Sequence, residues 1–165
     1  APHPFITRAR LLGILQPGSG ESLLEVGPGT GYYTLPVAEA LGRGRLDIYD
    51  LQQAMLDHTM RRAGEAGINN IVPTQGDACE LPFADERFDG AFLVTVLGEI
   101  SDRAAALAEL HRAIRPGGRL VTGEIFGDPH MVGLSTLKRE AATAGFNFET
   151  HVGNRLAYFA RLSRT

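Results

Sequence analysis

Short apolar runs alternate with helically spaced apolar positions along almost the whole chain. Residues 22–26, 45–49, 70–74, 88–96, 119–126, 146–152 and 156–162 have the length and composition of strands. Residues 5–15, 31–41, 51–66, 101–114 and 134–144 read as helices; in 101–114, for example, Leu107, Leu110 and Ile114 recur at helical spacing. Pro17-Gly18, Gly42-Arg43-Gly44, Pro116-Gly117-Gly118 and Gly145 supply the stops, with Gly67 as a C-terminal cap. The run at 88–96 is almost continuously apolar, as a strand covered on both faces should be. Such alternation predicts a parallel sheet with helices on both sides. Only Gly153-Asn154-Arg155 separates the last two strands. A parallel crossover needs a dozen residues or more, so these two must form an antiparallel hairpin. The expectation is an α/β fold whose seven-stranded, mostly parallel sheet ends in that hairpin.

Length and charge narrow the picture. The chain has 165 residues, consistent with a single domain over 1–165 whose first 20 residues supply a helix and candidate lid. At 44% hydrophobic and 21% charged, the composition is that of a soluble globular protein. A net charge of -3 without a dense basic run argues against nucleic acid as the main partner. No apolar stretch approaches the roughly 20 residues of a membrane span. The opening Ala1-Pro2-His3-Pro4-Phe5 has no signal-peptide pattern, so the default location is cytoplasmic. Cys79 is the single cysteine, which rules out an internal disulfide and a thiolate metal cluster. No carboxylate set has metal-ligand spacing.

The most informative segment follows the first strand. Leu23-Leu24-Glu25-Val26 runs into Gly27, Gly29 and Gly31 at alternate positions before a helical pattern begins. In doubly wound α/β folds, that strand end is where nucleotide-like ligands bind. The dinucleotide pattern G-x-G-x-x-G fails here, because Tyr32 stands at its third glycine and Gly31 comes one residue early. Glu25, two residues before the first glycine, would repel a pyrophosphate but attract an ammonium group. S-adenosylmethionine carries an ammonium and no phosphate. The terminal hairpin is a second departure from a nicotinamide-binding fold.

Two further acids continue the argument. Asp50 ends the second strand, 19 positions after Gly31, the distance at which a carboxylate can accept from two ribose hydroxyls. Asp50 and Gln53 also read as a helix capping box, and one carboxylate can serve both roles. Gly76-Asp77-Ala78 follows the third strand; Asp77 can accept from an exocyclic adenine amine, or be a solvated turn residue.

These motifs, in this order, resemble the class I S-adenosylmethionine-dependent methyltransferases, specifically the broad type 11 group of ubiquinone/menaquinone-biosynthesis and other small-molecule methyltransferases. Glu25-Val26-Gly27-Pro28-Gly29-Thr30-Gly31 resembles the family's first motif. Residues 76–83, from Gly76 to Phe83, with Arg87-Phe88-Asp89, resemble its third-strand exit. Residues 110–120 resemble the helix and turn before its fifth strand. The resemblance covers about residues 12–162 and implies a three-layer Rossmann-like sandwich. It also implies residue roles. Glu25, Val26, Gly27, Pro28, Gly29 and Gly31 would hold the methionine part. Asp50 would bind the ribose, with Leu51 against the adenine. Gly76, Asp77 and Ala78 would contact the adenine ring, and Val94 and Thr95 would lie beside the sulfonium.

The implied activity is methyl transfer from S-adenosylmethionine to a small-molecule acceptor, leaving S-adenosylhomocysteine. An alternative is a regulatory or scaffold protein that binds the cofactor without catalysis. Thr95, Glu99, Glu124 and His130 are the polar candidates at strand ends, and no general base follows from them. Glu99 equally reads as a solvated loop acid, and His130 as an exposed loop histidine. Thr95-Val96-Leu97-Gly98 lacks the Pro-Pro-aromatic signature of amino-methylating DNA enzymes. Cys79 follows Ala78, not the proline that a cytosine-C5 enzyme needs, and one cysteine is too few for an arsenite methyltransferase. With so little chain over the pocket, the site is expected to be open, or completed by a terminus or by a partner subunit in a homodimer.

Overall fold

The computed structural model describes residues 6–165. The first residue of the expected opening helix, Phe5, and the rest of the segment 1–5 lie outside the described residues. Helix α1 (Arg8–Leu15) starts where the Thr7 hydroxyl accepts from the Arg10 N–H, and ends at Gln16 in the left-handed region. Then follow β1 (Ser22–Val26), α2 (Thr34–Ala40), β2 (Arg45–Asp50), α3 (Gln53–Glu65), β3 (Ile71–Gln75) and β4 (Phe88–Val94). After a 3₁₀ turn at Leu97–Glu99 come α4 (Arg103–Ala113), β5 (Ile114–Ile125), α5 (Leu134–Thr143), β6 (Phe146–Asn154) and β7 (Ala157–Arg164).

The seven strands form one sheet in the order β3-β2-β1-β4-β5-β7-β6. The first five pair in parallel, and β7 runs antiparallel to both β5 and β6. The chain order therefore reverses beside β1 and β4, the switch point at which α/β sheets open a crevice. Pro73 sits in the edge strand β3, where its missing N–H costs least.

Alternation along the strands divides the core into two layers. On β4, Ala91 and Leu93 pack with Leu107 and Leu110 of α4 and Leu137 of α5. Phe92 and Val94 point the other way, toward Leu11 of α1, Val37 of α2 and Leu56 of α3. This is the expected three-layer arrangement.

Most element ends shift by a residue or more from the sequence reading, and three differences have a clear local cause. Helix α2 begins at Thr34, because Gly31 has φ 84° and cannot join a right-handed helix. The capping box at Asp50 does not form: α3 is capped by Gln52 without a side-chain bond, and Gln53 donates instead to Asp57. Helix α4 stops before Pro116-Gly117-Gly118, and those residues lie within β5 as a bulge. Phe88 pairs with Ile114 and Gly90 with Arg119, leaving 115–118 opposite Asp89 alone.

Candidate active site

The carboxyl ends of β1, β2 and β4 and the turn after β3 surround a cavity of about 1070 Å³. From the β1 side, Glu25, Val26, Gly27, Pro28, Gly29 and Thr30 line it. Gly27 has φ 72°, and a Cβ there would stand 2.5 Å from Val96 Cγ2, so the turn admits only glycine. A Cβ on Gly29 would meet no atom within 4 Å, because that position faces the opening. Gly31 does not line the cavity. It packs toward Thr59 of α3, whose hydroxyl donates to the Gly29 carbonyl at 3.0 Å. Helix α3 thus braces the loop from behind.

From the β2 and β3 sides come Asp50, Leu51, Gly76, Asp77 and Ala78. Asp50 Oδ1 accepts from the Gln52 N–H at 2.8 Å, and Oδ2 has no protein partner among the described residues. Leu51 is 68% exposed, a large apolar side chain at the mouth. Asp77 Oδ1 accepts from the Cys79 N–H at 2.9 Å, which shapes the turn. Tyr49, not singled out from the sequence, holds this region: its hydroxyl donates to the Asp77 carbonyl at 3.0 Å.

β4 contributes Val94, and the segment that follows contributes Thr95, Val96, Glu99, Ile100 and Ser101. Thr95 has φ 57°, a conformation that costs a non-glycine residue about 1–3 kcal/mol and clusters at functional sites. Its N–H donates to the Gly123 carbonyl at 2.8 Å, fastening it to β5.

Of the three catalytic candidates, only Glu99 lines the cavity. Glu124 lies on the other face of β5. Ile125 lines the cavity, and strand alternation turns its neighbour toward α4 and α5. There Glu124 accepts from the Val132 N–H at 3.0 Å, and burial pushes its carboxyl up to about 7. His130 is exposed outside the cavity, and its backbone carbonyl packs against Gly98. Ile6, Tyr32, Tyr33, Gln52, Met55 and Ile125 also line the space and were missed. The signal for Ile125 was its place at a strand's carboxyl end. Nothing in sequence spacing brings Ile6 there.

The ionisable cavity lining consists of Glu25, Asp50, Asp77, Glu99 and three tyrosines, with no Lys, Arg or His among the described residues. A pyrophosphate would find no cation there. A ribose and an ammonium would find carboxylates. Glu25 is 2% exposed and accepts from the Thr34 hydroxyl; burial pushes its carboxyl up to about 8 despite that bond. Among the described residues, no three His, Cys, Asp or Glu side chains gather as a metal site, and no helix is long and apolar enough to cross a membrane.

Comparison with known proteins bears on the family and the fold. A family described as a methyltransferase domain matches residues 23–118. A demethylmenaquinone methyltransferase from Bacillus velezensis is 33% identical over 128 residues, covering 77% of this chain and 54% of that protein. The ubiquinone/menaquinone biosynthesis C-methyltransferase UbiE of Paracoccus denitrificans is 34% identical over 121 residues, covering 72% and 48%. This chain thus spans about half the length of the curated relatives it matches. A SAM-dependent methyltransferase from Aquifex aeolicus superposes with a TM-score of 0.89 at 18% identity, over 98% of this chain and 90% of the other. The [4+2]-cyclase SpnF superposes with a TM-score of 0.85 at 19% identity, over 95% and 79%. That two such differently named proteins share the architecture shows that the fold does not specify the reaction. The sequence match does settle kinship: the chain belongs to the class I S-adenosylmethionine-dependent methyltransferases, in the group that includes the UbiE-like enzymes.

Proposed function

We propose that this chain transfers a methyl group from S-adenosylmethionine to a small, uncharged aromatic acceptor of the hydroquinone kind. The observation that carries the reading is the cavity itself. Its glycine loop, its three carboxylates at the ends of β1, β2 and β3, and the absence of Lys, Arg and His from its lining among the described residues suit a sulfonium nucleoside with a free ammonium. The acceptor class comes from the demethylmenaquinone and ubiquinone/menaquinone names of the relatives. Apolar Ile6, Ile100 and Ile125 in the lining are compatible with it.

In this reading Glu25 and the 27–31 loop hold the methionine end, Asp50 takes the ribose hydroxyls, and Asp77 and Ala78 meet the adenine. Leu51 covers one ring face. Val94 and Thr95 border the reacting methyl. The cofactor supplies an activated methyl on a positively charged sulfur. When bound, it would give that methyl to an electron pair of the acceptor in line with the breaking carbon–sulfur bond, whose bonding pair would stay on sulfur. The acceptor loses one proton, and Glu99 is the carboxylate assigned to receive it. Holding both partners in line can contribute about 7–11 kcal/mol toward the barrier.

Calorimetry with S-adenosylhomocysteine and with NAD tests the cofactor. Binding of NAD alone would sink the reading. Turnover of 1,4-naphthoquinol against catechol, amine and carboxylate acceptors tests the acceptor class; turnover confined to the amines or carboxylates would replace it.

A further inference from the structure

The N-terminal segment is tied to the glycine loop by three separate contacts. The Tyr33 hydroxyl donates to the Ile6 carbonyl. The Arg8 guanidinium lies 4.1 Å from the centroid of the Tyr32 ring, and Arg8 Nε donates to the Tyr32 carbonyl at 2.8 Å. The two tyrosines stand edge to face, 4.8 Å between centroids. Tyr33 in turn meets Phe159 of β7 edge to face at 6.2 Å. Ile6, only 4% exposed, lines the cavity, as do both tyrosines.

We infer that Tyr33 is a positioning residue for the acceptor end of the cavity: it fastens Ile6 in place as an apolar wall and makes that wall move as one unit with the cofactor loop. The inference rests on the reading of this cavity as a cofactor-and-acceptor site. Tyr32 and Tyr33 follow Gly31 directly, so any ligand that settles the 27–31 loop also settles the ring pair on which Arg8 and Ile6 rest. Burial pushes the Tyr33 phenol up to about 12, so it remains a donor at every working pH. A tyrosine pair would add nothing to the turn itself, which the glycines already provide. Packing of Tyr33 against Phe159 and the core offsets part of the ordering cost, and the further segment the pair holds is Ile6–Arg8. The consequence is a coupling between the two ends of the cavity: filling the cofactor loop should stiffen the wall against which an apolar acceptor packs.

Hydrogen exchange on the full chain, with and without S-adenosylhomocysteine, tests this. In the wild type, the ligand should slow exchange across residues 6–12. Tyr33→Phe should bind the ligand within about twofold of wild type and lose that protection; one lost hydrogen bond to a carbonyl corresponds to a change of about 2- to 12-fold. Arg8→Ala, which leaves Tyr33 and the core untouched, should lose part of it. With 1,4-naphthoquinol as acceptor, Tyr33→Phe should raise the acceptor KM by the same factor and leave kcat nearly unchanged. Equal ligand-dependent protection in wild type and Tyr33→Phe overturns the inference while leaving the cofactor reading intact. Failure of the wild type to bind S-adenosylhomocysteine overturns both.

Discussion

The Tyr49 hydroxyl occupies the space that a β-carbon on Gly76 would need. A Cβ built there would lie 1.9 Å from that oxygen and 2.5 Å from Cζ. Tyr49 cannot swing away, because it is 2% exposed and its ring packs edge-on against Phe83 at 5.7 Å. Gly76→Ala should therefore lower stability by about 1–3 kcal/mol, the usual cost of overpacking. Tyr49→Phe removes the bond to the Asp77 carbonyl and should cost about 1 kcal/mol. The double variant should recover only part of the Gly76→Ala loss, since Cζ still intrudes. Denaturant titration of the four proteins measures the coupling; strict additivity would show that the two residues do not share this space.

Gly29 and Gly98 should separate binding from folding. A Cβ on Gly98 would stand 1.6 Å from the His130 carbonyl oxygen, a backbone atom with no rotamer to change. Gly98→Ala should cost stability on the order of 3 kcal/mol and disturb the turn carrying Glu99. Gly29→Ala meets no atom within 4 Å and pays only for its φ of 58°. That strain costs about 1–2 kcal/mol. Its methyl group projects into the opening, so S-adenosylhomocysteine affinity should fall by more than stability does. Thermal melts and calorimetry on both variants decide the matter.

The alternation of strands and helices, the glycine turn and the acids at Asp50 and Asp77 were legible because each depends on local spacing or on the strand-end rule of α/β sheets. What escaped depended on facing. Glu25 and Glu124 look alike in sequence, each near the end of an apolar strand. One turns toward α2 and the cavity, the other toward Val132 and the opposite layer, and only the register of the sheet decides which. Thr95 was legible as a strand-end residue, but its left-handed backbone was not, because no local signal forces a threonine there. The wall at Ile6 arises from contacts across 27 residues between Tyr33 and Ile6, beyond the reach of periodicity.

That difference in facing predicts three distinct carboxylate and histidine phenotypes. Glu99→Gln should lower kcat by about 10²–10⁴, the range for a lost proton acceptor, with S-adenosylhomocysteine affinity kept. Glu124→Gln retains an acceptor for the Val132 N–H and should keep activity, whereas Glu124→Ala strands that buried donor and should cost about 1–3 kcal/mol of stability. His130→Ala should be near neutral in both assays. Steady-state kinetics and melts on the four variants check this set.

Asp50 offers a test of ribose recognition apart from local structure. Its Oδ1 is committed to the Gln52 N–H, and Oδ2 is unshared among the described residues. Asp50→Asn can keep the turn through its amide oxygen, but presents a donor where a second acceptor was. Affinity for S-adenosylhomocysteine should fall by about 1–3 kcal/mol in Asp50→Asn and Asp50→Ala alike, with only the alanine losing the turn. Equal affinities across wild type and both variants would reduce Asp50 to a turn residue.

The buried Glu25 carboxyl makes both stability and ligand binding depend on pH. Its value rises from 4.5 to about 8 in the folded chain, chiefly through burial. Between those values the folded protein holds a proton that the unfolded chain has lost. The contribution is therefore fully present below about pH 4.5, declines as pH rises, and is gone above about pH 8; the gap corresponds to roughly 5 kcal/mol. Glu124, raised to about 7, adds a second loss over the lower part of the same window. Melts of the ligand-free protein should fall steadily from pH 5 to pH 8, and Glu25→Gln should flatten much of that slope. An ammonium group docking beside Glu25 reverses the balance, because it favours the ionised carboxylate. Binding of S-adenosylhomocysteine at pH 7 should then release a proton, detectable by calorimetry in buffers of different ionisation enthalpy, and affinity should rise with pH toward about 8. The release should vanish in Glu25→Gln. Proton-neutral binding by the wild type at pH 7 would mean that the ammonium lies elsewhere in the cavity.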